Sequence, residues 1–127
     1  MTTAGLVLTG VGALVHVYIW VLESLLWTTD RARATFGTTP QEAAATRSMA
    51  YNQGFYNLFL AVTAVVGIGL VVADQRPAGW TLVLAACGSM LAAAVVLRTG
   101  GASYTRPAVT QGTIPLLAVV ATVIAAA

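Results

Sequence analysis

The chain has 127 residues, 58% of them hydrophobic and 8% charged, and a mean hydropathy of +0.85. An ordinary soluble domain carries about 25% charged residues, so this composition excludes a water-soluble globule and points to lipid. The net charge is +2, but the six basic residues are all arginines scattered between apolar stretches, without the stripe or cluster that nucleic-acid binding requires.

A helix rises about 1.5 Å per residue and needs roughly 20 apolar residues to cross a 30 Å hydrocarbon core. The length therefore accommodates four crossings with short connections and leaves no room for a soluble domain. We expect an all-α, membrane-spanning four-helix bundle forming a single domain over residues 1–127. No Arg or Lys precedes the first apolar run and no small-residue cleavage site comes after it, so that run is expected to stay in the protein rather than be removed as a signal peptide.

The first span is expected over residues 4–28, ending at Thr29-Asp30-Arg31, where polar side chains mark the lipid boundary. In the next loop, Thr39 can cap a short surface helix beginning at Pro40, with Gln41 and Glu42 in its first turn, and the segment from Gln41 to Ser48 can lead directly into the second span. That span is expected over 49–73. The tract Asp74-Gln75-Arg76-Pro77-Ala78-Gly79 then turns the chain into a third span over 80–97. Thr99-Gly100-Gly101-Ala102-Ser103 breaks the helix, Pro107 can start the fourth span over 107–127, and Pro115 lies inside it.

Five arginines, Arg31, Arg33, Arg47, Arg98 and Arg106, fall in the first and third connections and only Arg76 in the second. The positive-inside rule then places both termini outside the cytoplasm, in a multi-pass protein of the cell membrane. Trp27 and Trp80 are expected near span ends at headgroup depth, Trp27 with a second option of facing the polar residues. Cys87, alone in an apolar run, reads as a small buried hydrophobe and offers neither a disulfide nor metal-ligand spacing.

The polar residues inside the spans converge. His16, Trp20, Glu23 and Trp27 are spaced four, three and four apart, which places them on one helix face. An ionised carboxylate costs at least about 2.5 to 3.5 kcal/mol near mid-bilayer, so Glu23 must face the bundle, water or a partner, or carry a proton. Asn52, Gln53, Tyr56 and Asn57 form a polar strip in the first turns of the second span, and Gln111 lies in the first turns of the fourth. Glu23 sits about 7 Å and Asn57 about 12 Å from the cytoplasmic ends of their spans, with His16 about 10 Å deeper than Glu23. The bland reading is that these groups only hydrogen-bond between helices. The sharper one is a polar intramembrane pocket open to the cytoplasmic side. Gly88/Ala92 and Ser89/Ala93 in the third span already offer surfaces for close helix approach, so association does not require so many polar groups.

No motif indicates a cofactor. Zinc takes three or four ligands, and His16 and Glu23, two turns apart, are too few. Ser24, Ser48, Ser89 and Ser103 lie in no Gly-x-Ser-x-Gly elbow, so a hydrolase triad is not read here.

His16, Glu23 and Trp27, then Phe36-Gly37, then Asn52-Gln53-Gly54-Phe55-Tyr56-Asn57-Leu58-Phe59-Leu60-Ala61, and finally Gln111-Gly112 resemble domain-of-unknown-function family 1304, a family of small bacterial membrane proteins. The resemblance covers essentially the whole chain and implies four helices without implying an activity. A more distant likeness, to eicosanoid and glutathione-metabolising membrane enzymes, rests on Arg47 and Asn52 alone. The acidic residue expected after that Asn is missing.

The sequence reading is a small-molecule binding or translocating membrane protein. Glu23 is its proton- or cation-responsive group and His16 a deeper relay; Trp20, Trp27, Asn52, Gln53, Tyr56, Asn57 and Gln111 line the site. Its expected partners are the lipid bilayer, a small apolar or amphipathic ligand and further copies of the chain. Two other readings stay open: a membrane enzyme on a lipid or apolar substrate with Glu23/His16 acid-base chemistry, and a structural or partner-binding membrane subunit.

Overall fold

The computed structural model describes all 127 residues, Met1–Ala127. The chain is all-helical: α1 (Thr2–Trp20), a π-helical turn (Val21–Leu25), α2 (Asp30–Phe36), α3 (Pro40–Val72), α4 (Arg76–Thr99), a 3-10 turn (Ala102–Tyr104) and α5 (Thr105–Ala126). Four segments, Thr2–Leu25, Pro40–Val72, Arg76–Thr99 and Ala102–Ala126, are long and apolar enough to cross a membrane.

The surface helix of the first connection lies earlier than its sequence suggests. Thr29 accepts a hydrogen bond from the Ala32 backbone and starts α2, and Gly37, with φ +70°, ends it as the Thr38 N–H closes onto the Arg33 carbonyl. The helix starting at Pro40 takes the direct course that the sequence leaves open from Gln41 to Ser48. It runs unbroken into the second span as the 33-residue α3. Its start is a capping box: the Glu42 N–H donates to Thr39 Oγ1 at 3.2 Å, and the Thr39 N–H to Glu42 Oε2 at 2.8 Å. Three helical turns therefore precede the apolar part of α3.

The chain divides into two compact units, one of Met1–Val15 with Leu60–Ala127 and one of His16–Phe59. The first has an apolar core of Val71, Trp80, Val83, Cys87 and Ala118, with Leu6, Leu8, Val119 and Ala125 packed on it. Trp80, expected at headgroup depth, is 6% exposed in that core; it occupies the second turn of α4, beside the buried Gly79, where α4 already packs on α3. That packing is close enough to need glycine on both sides. A Cβ on Gly67 would lie 2.9 Å from the Val83 nitrogen, and one on Gly79 2.7 Å from the Val71 nitrogen. The turn between the two helices has the Schellman pattern, Gln75 N–H to the Leu70 carbonyl and Asp74 N–H to that of Val71, with Asp74 at φ 64°. Inside the same unit Thr9 donates to the Gly5 carbonyl at 2.7 Å, and the buried Cys87 thiol lies 3.8 Å from Thr9 Oγ1.

In the His16–Phe59 unit, Ala32, Ala43 and Ala50 are buried, and small side chains let its helical segments approach closely. This unit holds the candidate site.

Candidate functional site

Glu23 lies in the middle of the π turn, where the Leu26 N–H reaches back five residues to the Val21 carbonyl at 3.0 Å. Such a turn accommodates one residue more than an α-helical turn and rotates the residues beyond it by about 100° relative to an uninterrupted helix. Facing it is the α3 segment that carries Ala43, Ala50 and Gly54. At about 100° per residue these three share one side of the helix, and all are buried. Gly54 makes the crossing close: a Cβ there would lie 2.1 Å from Ser24 Oγ and 3.0 Å from Glu23 Cβ. The Ser24 hydroxyl ties the crossing by donating to the Tyr51 carbonyl at 2.8 Å.

At this crossing Glu23 is 5% exposed. Each carboxylate oxygen accepts one hydrogen bond from an amide of α3: Gln53 Nε2 donates to Oε1 at 3.2 Å and Asn57 Nδ2 to Oε2 at 2.8 Å. Gln53 and Asn57 stand one turn apart on the same face, and the Asn57 amide also donates to the Gln53 carbonyl at 3.3 Å. The ion pairs of the chain, Arg33–Asp30 and Arg76–Asp74, do not involve Glu23. The carboxylate is thus held by neutral donors that orient it without neutralising it, and each oxygen keeps acceptor capacity. Such a group can take a proton or hold a cation.

The remaining sequence-expected residues are not part of this triad. His16 is 1% exposed and sits on α1, about 10 Å along the axis from Glu23. Trp20 packs edge-on against Phe55 with ring centroids 5.9 Å apart, and its buried Nε1 has no hydrogen-bond partner. Phe55 also meets Tyr51 at 5.0 Å and Phe59 at 6.3 Å. Tyr51 and Phe55 flank Gly54 on the side opposite Gln53 and Asn57, so the aromatic cluster and the carboxylate are separated by the helix crossing. Trp27 lies past the π turn, where its Nε1 donates to Thr46 Oγ1 at 3.1 Å and its ring tilts against Phe36 at 5.0 Å. It pins the connection to the start of α3.

Asn52 and Tyr56 are exposed, Tyr56 at 64%, on the side of α3 away from Gly54. Gln111 belongs to the other unit, half-buried near the start of α5, and Pro115 has no N–H to give its backbone carbonyl. The structure therefore brings Glu23, Gln53 and Asn57 into one hydrogen-bonded group and leaves Asn52 and Tyr56 out of it. Sequence reasoning assigns no role to Ser24 or Thr46, and it meets Gly54 only as part of a motif. The recurrence of small residues at 43, 50 and 54 is the available signal for the face that closes on the first span.

These features define a multi-pass helical membrane protein with a carboxylate–amide group inside its apolar segments. The chain belongs to the family described as protein of unknown function, DUF1304, whose sequence model matches residues 10–123. No curated protein and no solved structure matches it.

Proposed function

We propose that the protein binds or translocates a small molecule, with Glu23 as the proton- or cation-responsive group. Gln53 and Asn57 hold its carboxylate in place, and His16 is a relay deeper along the same helix. The observation that carries this reading is the burial of Glu23 against neutral amides with no basic partner, since an intramembrane carboxylate without a counter-ion calls for a proton or an external cation. In this reading the site opens to the cytoplasmic side of the cell membrane, which the arginine distribution supports. The exposed small residues Ser89, Ala92 and Ala93 of α4 favour self-association. Asn52, Tyr56 and Gln111 have no part in this reading.

The test is to purify the protein in mild detergent and identify co-purifying small molecules by mass spectrometry, comparing wild type with Glu23→Gln. A species bound by the wild type and lost in the variant is the expected result. Conversion of that species into a new product would instead make the protein an enzyme. Identical profiles, with fold and oligomeric state intact, would reduce the carboxylate–amide group to a tie between helices.

A further inference from the structure

The 33 residues of α3 extend about 50 Å, against about 30 Å of hydrocarbon. From Gln53 to Val72 the helix carries no charged side chain and is just long enough to span that core. The turns from Arg47 to Asn52, about 9 Å of helix, then pass through the headgroup layer. On the exposed surface of α3 there, Ala44, Ala45, Arg47, Ser48 and Tyr51 line a shallow depression. Ala44, Arg47, Ser48 and Tyr51 follow the spacing of a single helix face, and the small alanines leave the space beside the guanidinium open.

The other basic groups of this connection are engaged. Arg33 pairs with Asp30, and Arg31 donates from Nε to the Tyr18 hydroxyl at 3.1 Å. Glu42 is occupied by the cap at Thr39. Arg47 has no acidic partner within the chain. Along the membrane-inward direction the same face continues through Tyr51, Phe55 and Phe59, with Tyr51 52% and Phe59 58% exposed. A cation and a hydroxyl at phosphate depth, with an apolar ring column beneath them at acyl depth, match the polarity of a phospholipid from head to tail.

We propose that this face binds an anionic phospholipid, its phosphate on Arg47 and Ser48 and an acyl chain along Tyr51, Phe55 and Phe59. The face lies across the Gly54 crossing from Glu23 and does not depend on the function proposed above. Native mass spectrometry of the detergent-purified protein, titrated with phosphatidylglycerol or with phosphatidylcholine of the same acyl chains, tests it. Preferential retention of phosphatidylglycerol is expected, falling about fivefold in Arg47→Gln, the worth of one basic group at an anionic surface. It should also weaken in Ser48→Ala and stay unchanged in Arg106→Gln at the start of α5. Equal retention of the two lipids, no change in both Arg47→Gln and Ser48→Ala, or an equal loss in Arg106→Gln would overturn the assignment. Displacement of the lipid by inorganic phosphate would show a free-phosphate site instead.

Discussion

Gly54 and Ser24 stand so close that a Cβ on the glycine would fall 2.1 Å from the serine hydroxyl oxygen. The contact brings the α3 amides within reach of Glu23, so it serves the site as well as the packing. Gly54→Ala is expected to lower stability by about 1 to 3 kcal/mol, the usual cost of overpacking a tight contact. Ser24→Ala in the same chain should recover part of that loss, because it removes the nearest atom. Unfolding in detergent by circular dichroism reads both, and a Gly54→Ala variant as stable as wild type would contradict the close crossing.

The Glu23–Asn57 hydrogen bond should behave as a coupled pair. Asn57→Leu leaves a buried carboxylate oxygen without its donor, which costs about 1 to 3 kcal/mol, whereas removing both partners leaves no such orphan. The double variant Glu23→Leu/Asn57→Leu is therefore expected to lose less than the sum of the single losses. Additive losses in a double-mutant cycle would mean the two side chains do not share a hydrogen bond.

Packing between α3 and α4 offers an internal control. Gly67→Ala and Gly79→Ala each place a methyl group within 3 Å of backbone atoms of the facing helix and should destabilise by about 1 to 3 kcal/mol. Gly69→Ala, two residues from Gly67 with nothing within 4 Å of its added carbon, should be neutral or gain about 0.5 to 1 kcal/mol from helix propensity. Thermal unfolding that ranks Gly69→Ala with the other two would remove the argument for backbone-to-backbone packing.

The capping box at Thr39 makes a local prediction. Thr39→Ala should cost about 1 kcal/mol and loosen the first turn of α3, while Thr39→Ser should hold it. Hydrogen exchange at residues 41–43 is the measurement, with faster exchange expected in the alanine variant alone.

Much of this architecture is legible in the sequence because bilayer thickness and hydropathy leave few alternatives for four apolar runs. Glu23, Gln53 and Asn57 stand out for the same reason, since each is a polar side chain in an apolar segment. The π turn is a different matter. Its i to i+5 bond has no residue signature in Val21-Leu22-Glu23-Ser24-Leu25, and the extra rotation carries Trp27 off the face that regular helical spacing gives it. On α3, four-residue spacing pairs Asn52 with Tyr56 as readily as Gln53 with Asn57. The choice between the pairs is made by Gly54, whose missing side chain selects the side that closes on Ser24. Trp80 stands near a span end by position, and its packing into a core as well comes from the close Gly67–Gly79 approach, which sequence position alone does not show.

The π turn also separates two properties that a helix usually delivers together. Loss of one residue from the regular turns ahead of it, such as Ile19, would leave the 24-residue first span long enough to insert. With the π turn kept, it would nonetheless swing the carboxylate by about 100° relative to the preceding part of the helix, away from the amides that hold it. The bilayer measures this segment as a length and α3 reads it as an angle, so a single deletion can leave the protein seated in its membrane with its one buried acid aimed elsewhere.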